Sequence, residues 1–225
     1  MNIKENVNRI LKEIPRDVDI VAATKSRDLK EIREVVEYGI KIIGENRVQE
    51  AEKKFNKIEE GIKKRVEWHM IGHLQRNKVK KAVKIFSCIQ SVDSLKLAKE
   101  IDRRCKSIDK IMPILVQINI GYEKTKFGFK PEIEELNKVV EGITKFENLI
   151  LRGIMIIEPY CKNIEETRRY FRKAKMLFDM LKNKDSTKQY MKILSMGMSN
   201  SYKIAIEEGS TMIRVGEAIF GPRKY

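Results

Sequence analysis

One lysine is delivered to the end of a short apolar run. Ile20-Val21-Ala22-Ala23-Thr24 has the β-branched, apolar character of a strand, and Lys25 follows directly. Asp28 and Glu31 then have the spacing of a capping box, so a helix opens within a few residues of the lysine. An amine at the C-terminal end of a strand in a parallel α/β fold lies where ligands bind, and a neutral lysine amine condenses with an aldehyde. A chain with 47 lysines and arginines leaves many of them simply solvated, however, so the reading depends on what the other strand ends carry.

Two segments near the C-terminus carry complementary chemistry. Gly197-Met198-Ser199 opens a helical stretch, whose free N–H groups and positive dipole end, with the Ser199 hydroxyl, suit a phosphate. Arg214-Val215-Gly216-Glu217 adds a cation and, at Gly216, a backbone that an anion can approach closely. An amine facing a phosphate site suggests a ligand with both an aldehyde and a phosphate. Pyridoxal 5'-phosphate is such a ligand. Asn46, His69, Ser91 and Asn119 also fall at strand ends, and Asp93 is placed to cap the helix after Ser91. Asn46 and Asp93 have a plainer reading as helix caps, and His69 as a packed side chain.

These residues meet only if the strands share one edge. A helix over 3–13, ended by Pro15, precedes strands read at 19–24, 40–43, 66–71, 85–90, 111–120, 149–157, 192–196 and 211–215. Helical stripes such as Leu29, Ile32, Val35 and Val36, or Phe171, Ala174, Leu177, Phe178 and Leu181, separate them, and 183–187 reads as a polar linker. Strands alternating with helices require parallel pairing through right-handed crossovers, and eight such units are the count of a (β/α)8 barrel. A doubly wound open sheet usually has fewer strands, and no GxGxxG follows the first one. The expectation is a single α/β barrel domain over 1–225 with an N-terminal preface helix.

Composition narrows the class. The chain of 225 residues is 42% apolar, with no apolar run near the roughly 18 residues a membrane span needs and a charged N-terminus unlike a signal peptide. A cytoplasmic location follows as the expectation. Cys88, Cys105 and Cys161 are odd in number and lack CxxC spacing, which suggests reduced thiols rather than a disulfide frame or a zinc site. The net charge of +15 is spread over every helical segment without an arginine-rich arm, so the basic residues read as polar helix faces and not as a nucleic-acid surface.

The ordered set of motifs resembles the pyridoxal phosphate homeostasis protein family, which shares its barrel with the alanine racemase N-terminal domain. The matching residues are Ala23-Thr24-Lys25, Gly44-Glu45-Asn46-Arg47-Val48-Gln49-Glu50, Trp68-His69-Met70-Ile71-Gly72 with Leu74-Gln75 and Asn77-Lys78, and Gln117-Ile118-Asn119-Ile120. Glu123, Lys126, Gly128, Leu151-Arg152-Gly153, Gly197-Met198-Ser199, Gly209-Ser210-Thr211-Met212, Arg214-Val215-Gly216 and Ala218-Ile219-Phe220-Gly221 continue the series, which spans nearly the whole chain.

The resemblance implies that Lys25 forms a Schiff base with the cofactor and that Arg214 faces the pyridine nitrogen. It places Ser199 with the backbone of Gly216 and Glu217 at the phosphate, and Asn46 beside the ring. Two positions depart from the usual pattern: Arg27 stands where a second lysine is common, and Glu217 where a threonine or serine is common, so only the Glu217 backbone is expected to take part. The implied role is a non-catalytic holder of pyridoxal phosphate that hands it to apo-enzymes. The alternative is an amino-acid racemase or related enzyme, which needs two opposed acid/base groups. The racemases take the second from a C-terminal domain, for which no residues follow Tyr225, leaving His69 as the internal substitute. A monomer is expected.

Overall fold

Helices between successive strands force the strands to run the same way, and all eight pair in parallel in the computed structural model. The structure describes residues 2–184, 187 and 189–222, so Asp185 and Ser186 of the polar linker lie outside the described residues. Strand β1 (Asp19–Ala23) pairs with β2 (Ile42–Glu45) on one side and β8 (Met212–Val215) on the other. Between them run β3 (Glu67–Met70), β4 (Cys88–Val92), β5 (Met112–Ile118), β6 (Leu149–Ile156) and β7 (Ile193–Ser195), in sequence order around a closed barrel. The expected (β/α)8 architecture is the one observed.

The outer layer starts with α1 (Ile3–Glu13), α2 (Leu29–Glu37), α3 (Val48–Lys57), the short α4 (Glu60–Lys63) and α5 (Val79–Ile85). It continues with α6 (Leu95–Lys106), α7 (Ile133–Ile143), α8 (Arg168–Lys182), α9 (Tyr202–Glu207) and α10 (Glu217–Phe220). Both halves of the capping box form at α2: the Glu31 amide donates to Asp28 Oδ1 at 2.8 Å and the Asp28 amide to Glu31 Oε2 at 2.9 Å. Outward-facing strand residues meet the helices, as where Trp68 of β3 packs edge-on against Phe55 of α3 with centroids 5.5 Å apart. Inward-facing ones form separate apolar clusters, Val21, Ile42, Ile71 and Met212 on one side and Cys88, Leu115 and Met155 on the other. The interior is therefore a packed core, as barrels of this size require.

Two boundaries move residues that matter. The apolar run Ile85-Phe86 reads equally well as helix or strand, and it ends α5, so β4 starts at Cys88 and contains Ser91 instead of ending before it. Strand β2 likewise starts at Ile42 and extends through Gly44 and Glu45. Helix α6 is capped by Ser94, whose hydroxyl accepts from the Leu97 amide at 3.2 Å. Asp93, expected to be that cap, instead pairs with His73 Nδ1 at 2.8 Å.

Gly153 marks the tightest strand contact, because a Cβ there would fall 1.7 Å from the Ile193 carbonyl oxygen. Gly153→Ala is expected to lower unfolding free energy by about 3 kcal/mol in chemical denaturation, the upper range for overpacking. A loss below about 1 kcal/mol would show that β6 and β7 separate without cost.

Candidate functional site

The C-terminal ends of the strands open into one cavity of about 510 Å³. Lys25, Asn46, Ser199, Arg214, Gly216 and Glu217 all line it, so every residue assigned to the site from sequence reaches the same space. Asn119 lines a smaller adjoining pocket of about 200 Å³ that shares Asn46 and Lys126 with the first. Its side-chain amide donates to the carbonyls of Glu123 and Lys126 at 2.8 and 3.1 Å, which shapes the loop beside the mouth.

The other two strand-end candidates are elsewhere. Ser91 is fully buried within β4, its hydroxyl without a hydrogen-bond partner among the described residues. His69 lies inside the barrel, buried between Gln90 and Glu67. Its expected place at the mouth fails because the inward face of β3 at this level points into the core, two residues short of Ile71, which does line the cavity.

His69 belongs to a directional chain of hydrogen bonds that starts at Arg214. The guanidinium donates to Ser195 Oγ and to the Ile156 carbonyl, both at 2.6 Å. Ser195 Oγ donates to Gln90 Oε1 at 2.7 Å, the Gln90 amide to His69 Nδ1 at 2.9 Å, and His69 Nε2 lies 3.2 Å from Glu67 Oε2. With Nδ1 accepting, the histidine proton sits on Nε2 and points to Glu67. Burial pushes the Arg214 pKa down to about 10, opposed by the Glu158 carboxylate, so the group is a fixed cation at neutral pH.

On the opposite wall, backbone amides converge. Ser199 Oγ accepts from the Gly216 and Ala218 amides at 3.1 and 3.2 Å, so two N–H groups at the start of α10 aim at one point and the serine keeps its own proton to donate. Helix α9 begins only at Tyr202 and the Met198 amide is used by Ser201 Oγ at 3.0 Å, so the Ser199 hydroxyl, held by the two α10 amides, is the donor this wall presents. The Glu217 side chain is exposed, in keeping with a role limited to its backbone. Arg27 holds this helix in place: its guanidinium donates to the Gly221 carbonyl at 2.7 Å and pairs with Glu31 at 3.2 Å.

Asn46 is placed by a close backbone approach, since a Cβ on Gly72 would fall 2.4 Å from the Asn46 carbonyl oxygen. Sequence reasoning missed Ser195 and Gln90, which only the closed barrel brings to Arg214. It also missed Glu158, a buried acid in the cavity wall whose carboxylate accepts from Ser201 Oγ. Lys54, read as one more basic residue on a helix face, is also buried. Its i,i+4 spacing from Glu50 was the available signal.

Comparison with known proteins settles the lineage. The alanine racemase N-terminal domain family model matches residues 1–224. The pyridoxal phosphate homeostasis protein of Aquifex aeolicus is 37% identical over the full length of both chains. The chain belongs to this family. The structure of PipY from Synechococcus elongatus without PLP superposes with a TM-score of 0.90 at 32% identity, covering 98% of this chain and all of that one. The same protein with PLP bound gives 0.86 at 31% identity, again over 98% and 100% of the two chains.

The three thiols differ in accessibility. Burial pushes Cys88 up to about 12 and Cys105 up to about 11, whereas Cys161 is half-buried in the cavity wall. Iodoacetamide at pH 8 is expected to label Cys161 alone in the native protein, and more slowly once the cavity is filled. Labelling of Cys88 at a comparable rate would show that the barrel interior opens to solvent.

Proposed function

We propose that this protein binds pyridoxal 5'-phosphate, holds it covalently on Lys25 without catalysing a reaction, and contributes to intracellular homeostasis of that cofactor. The observation that carries the reading is that Lys25, Ser199, Gly216 and Arg214 line one cavity, an amine on one side and anion donors on the other. The PLP-bound PipY relative and the pyridoxal phosphate homeostasis protein at 37% identity support it. The donor set fits the group: the Ser199 hydroxyl, its oxygen held by the Gly216 and Ala218 amides so that its proton is left to donate, suits the phosphate, and a buried guanidinium suits a neutral pyridine nitrogen. When bound, the cofactor supplies an aldehyde carbon that a lysine amine attacks with loss of water.

Each residue has its task. Lys25 provides the amine, the Ser199 hydroxyl and the Gly216 and Glu217 backbone hold the phosphate, and Asn46 borders the ring. Arg214 keeps a positive charge against the pyridine nitrogen, which disfavours protonation there and weakens the ring as an electron sink. Racemisation would need a second acid/base group across the substrate. His69 is committed to Gln90 and Glu67 inside the barrel, which favours the carrier over the enzyme. Among the described residues no helix is long and apolar enough to cross a membrane and no cluster suits a metal. A monomeric single-domain protein of the cytoplasm, delivering its cofactor to apo-enzymes, completes the proposal.

Lys25→Ala is expected to weaken pyridoxal phosphate binding at least about tenfold, or 1.4 kcal/mol, while leaving the thermal unfolding midpoint within a few degrees. Equilibrium dialysis and calorimetry read both. Unchanged affinity would remove Lys25 from the role, and loss of cooperative unfolding would make it a structural residue. Arg214→Ala should shift the absorbance of the bound ligand, and an identical spectrum would separate Arg214 from the ring.

A further inference from the structure

Directly beneath Lys25 lies a charged cluster that the cofactor contacts do not use. Lys54 of α3 is buried, and its ammonium donates three hydrogen bonds of 2.7 Å each: to the Thr24 carbonyl, to Glu45 Oε1 and to Glu50 Oε1. Thr24 Oγ1 donates to the same Glu45 oxygen at 2.6 Å, and the Ser26 amide to Glu50 Oε1 at 2.7 Å. The peptide groups on both sides of Lys25 are thus tied to one ammonium and its two carboxylates. Ser26 adopts a φ of 62°, a left-handed conformation that costs a non-glycine residue on the order of 1 kcal/mol and persists only where the surroundings impose it. The Glu50 bond to the Ser26 amide is such an imposition.

The electrostatics agree with the geometry. Burial works against ionising Glu50, but the hydrogen bonds from Lys54 and the Ser26 amide outweigh it and hold its pKa below the usual carboxylate range. Burial pushes Glu45 up, with the Lys54 charge and hydrogen bond and the Thr24 hydroxyl opposing it. Both carboxylates near Lys25 are engaged by Lys54, so neither forms an ion pair that would draw the Lys25 amine out of the cavity.

We infer that Lys54 and Glu50 are positioning residues: the Glu45–Lys54–Glu50 cluster fixes the backbone at Thr24 and Ser26 so that the Lys25 amine is aimed at the ligand's aldehyde carbon. A lysine side chain has four rotatable bonds, and an amine swinging from an unfixed turn reaches one carbon far less often than one on a locked backbone. The cluster therefore governs covalent capture: its hydrogen bonds go to Thr24 and Ser26, whereas the phosphate cradle is built on α10. This rests on Lys25 being the residue that takes the aldehyde.

The test compares two ligands that differ only at the reacting group. Pyridoxal 5'-phosphate carries the aldehyde, and pyridoxine 5'-phosphate an alcohol in its place. Glu50→Ala, at a partly exposed position, and Lys54→Met should each raise the pyridoxal phosphate concentration needed for half-maximal borohydride trapping on Lys25 by about tenfold, while pyridoxine phosphate affinity stays within about twofold. Glu50→Gln keeps an acceptor for the Ser26 amide and should retain most of the trapping. Trapping in Glu50→Ala equal to that of the unsubstituted protein, or an equal loss of both ligands, would overturn the positioning role. Because removing one partner of a buried pair can unfold a protein, Glu50→Ala decides the matter if Lys54→Met does not fold. No trapping on Lys25 in the unsubstituted protein would instead remove the proposed function, and the positioning role with it.

Discussion

A residue such as Arg214, with only 5% of its surface exposed, must find in the protein the hydrogen bonds its guanidinium gives up in water. Arg214 does so across three strands, from its own place on β8 to the Ser195 hydroxyl of β7 and the Ile156 carbonyl of β6. Ser195 can serve only because Gln90 of β4 takes its proton, and Gln90 is in turn oriented by His69 of β3. The chain ends on the Glu67 carboxylate near the opposite face, so a cation at the mouth and an anion at the base terminate one line of hydrogen bonds. Each member fixes the rotamer of the next, and opening the barrel at any strand would strand a buried polar group.

The two walls of the cavity are built by different means. Around Arg214 and the start of α10, mostly neutral donors are held by the barrel and by Arg27, giving a site for an anion that does not have to move. Around Lys25 the reverse holds: the residue proposed to take the aldehyde is left free, and the charges beneath it are held on the backbone. A covalent carrier needs this division, since the noncovalent contacts retain the ligand while the bond to the amine forms and breaks.

The barrel was legible in the sequence because each strand is a short apolar run bounded by turn residues, and eight alternations with helices admit few topologies. Lys25, Asn46, Ser199 and Arg214 were placed at one mouth by the same reasoning, as polar groups recurring at one topological position, Gly216 by its open backbone and Glu217 by the resemblance, and all six line the cavity. The readings that failed depended on finer detail. Ile85-Phe86 is apolar in either a helix or a strand, and assigning it to a strand moved Ser91 to the mouth. His69 was misplaced by depth, since it faces inward like Ile71 but lies two residues lower, inside the barrel, and Asp93 lost the cap to Ser94, which directly precedes α6, and pairs with His73 instead. Lys54 was hidden by composition, since one buried lysine among so many basic residues has no mark in the sequence beyond its spacing from Glu50.

One amine among the many on this chain, that of Lys25, is set apart by its place in the cavity. The most direct test is to incubate the protein with pyridoxal 5'-phosphate at a concentration equal to its own, reduce with borohydride, and locate the added pyridoxyl phosphate mass by peptide sequencing. Modification concentrated on the peptide bearing Lys25, with the surface lysines nearly untouched, is the predicted result. Modification spread over many lysines, with Lys25 no more labelled than the rest, would contradict it.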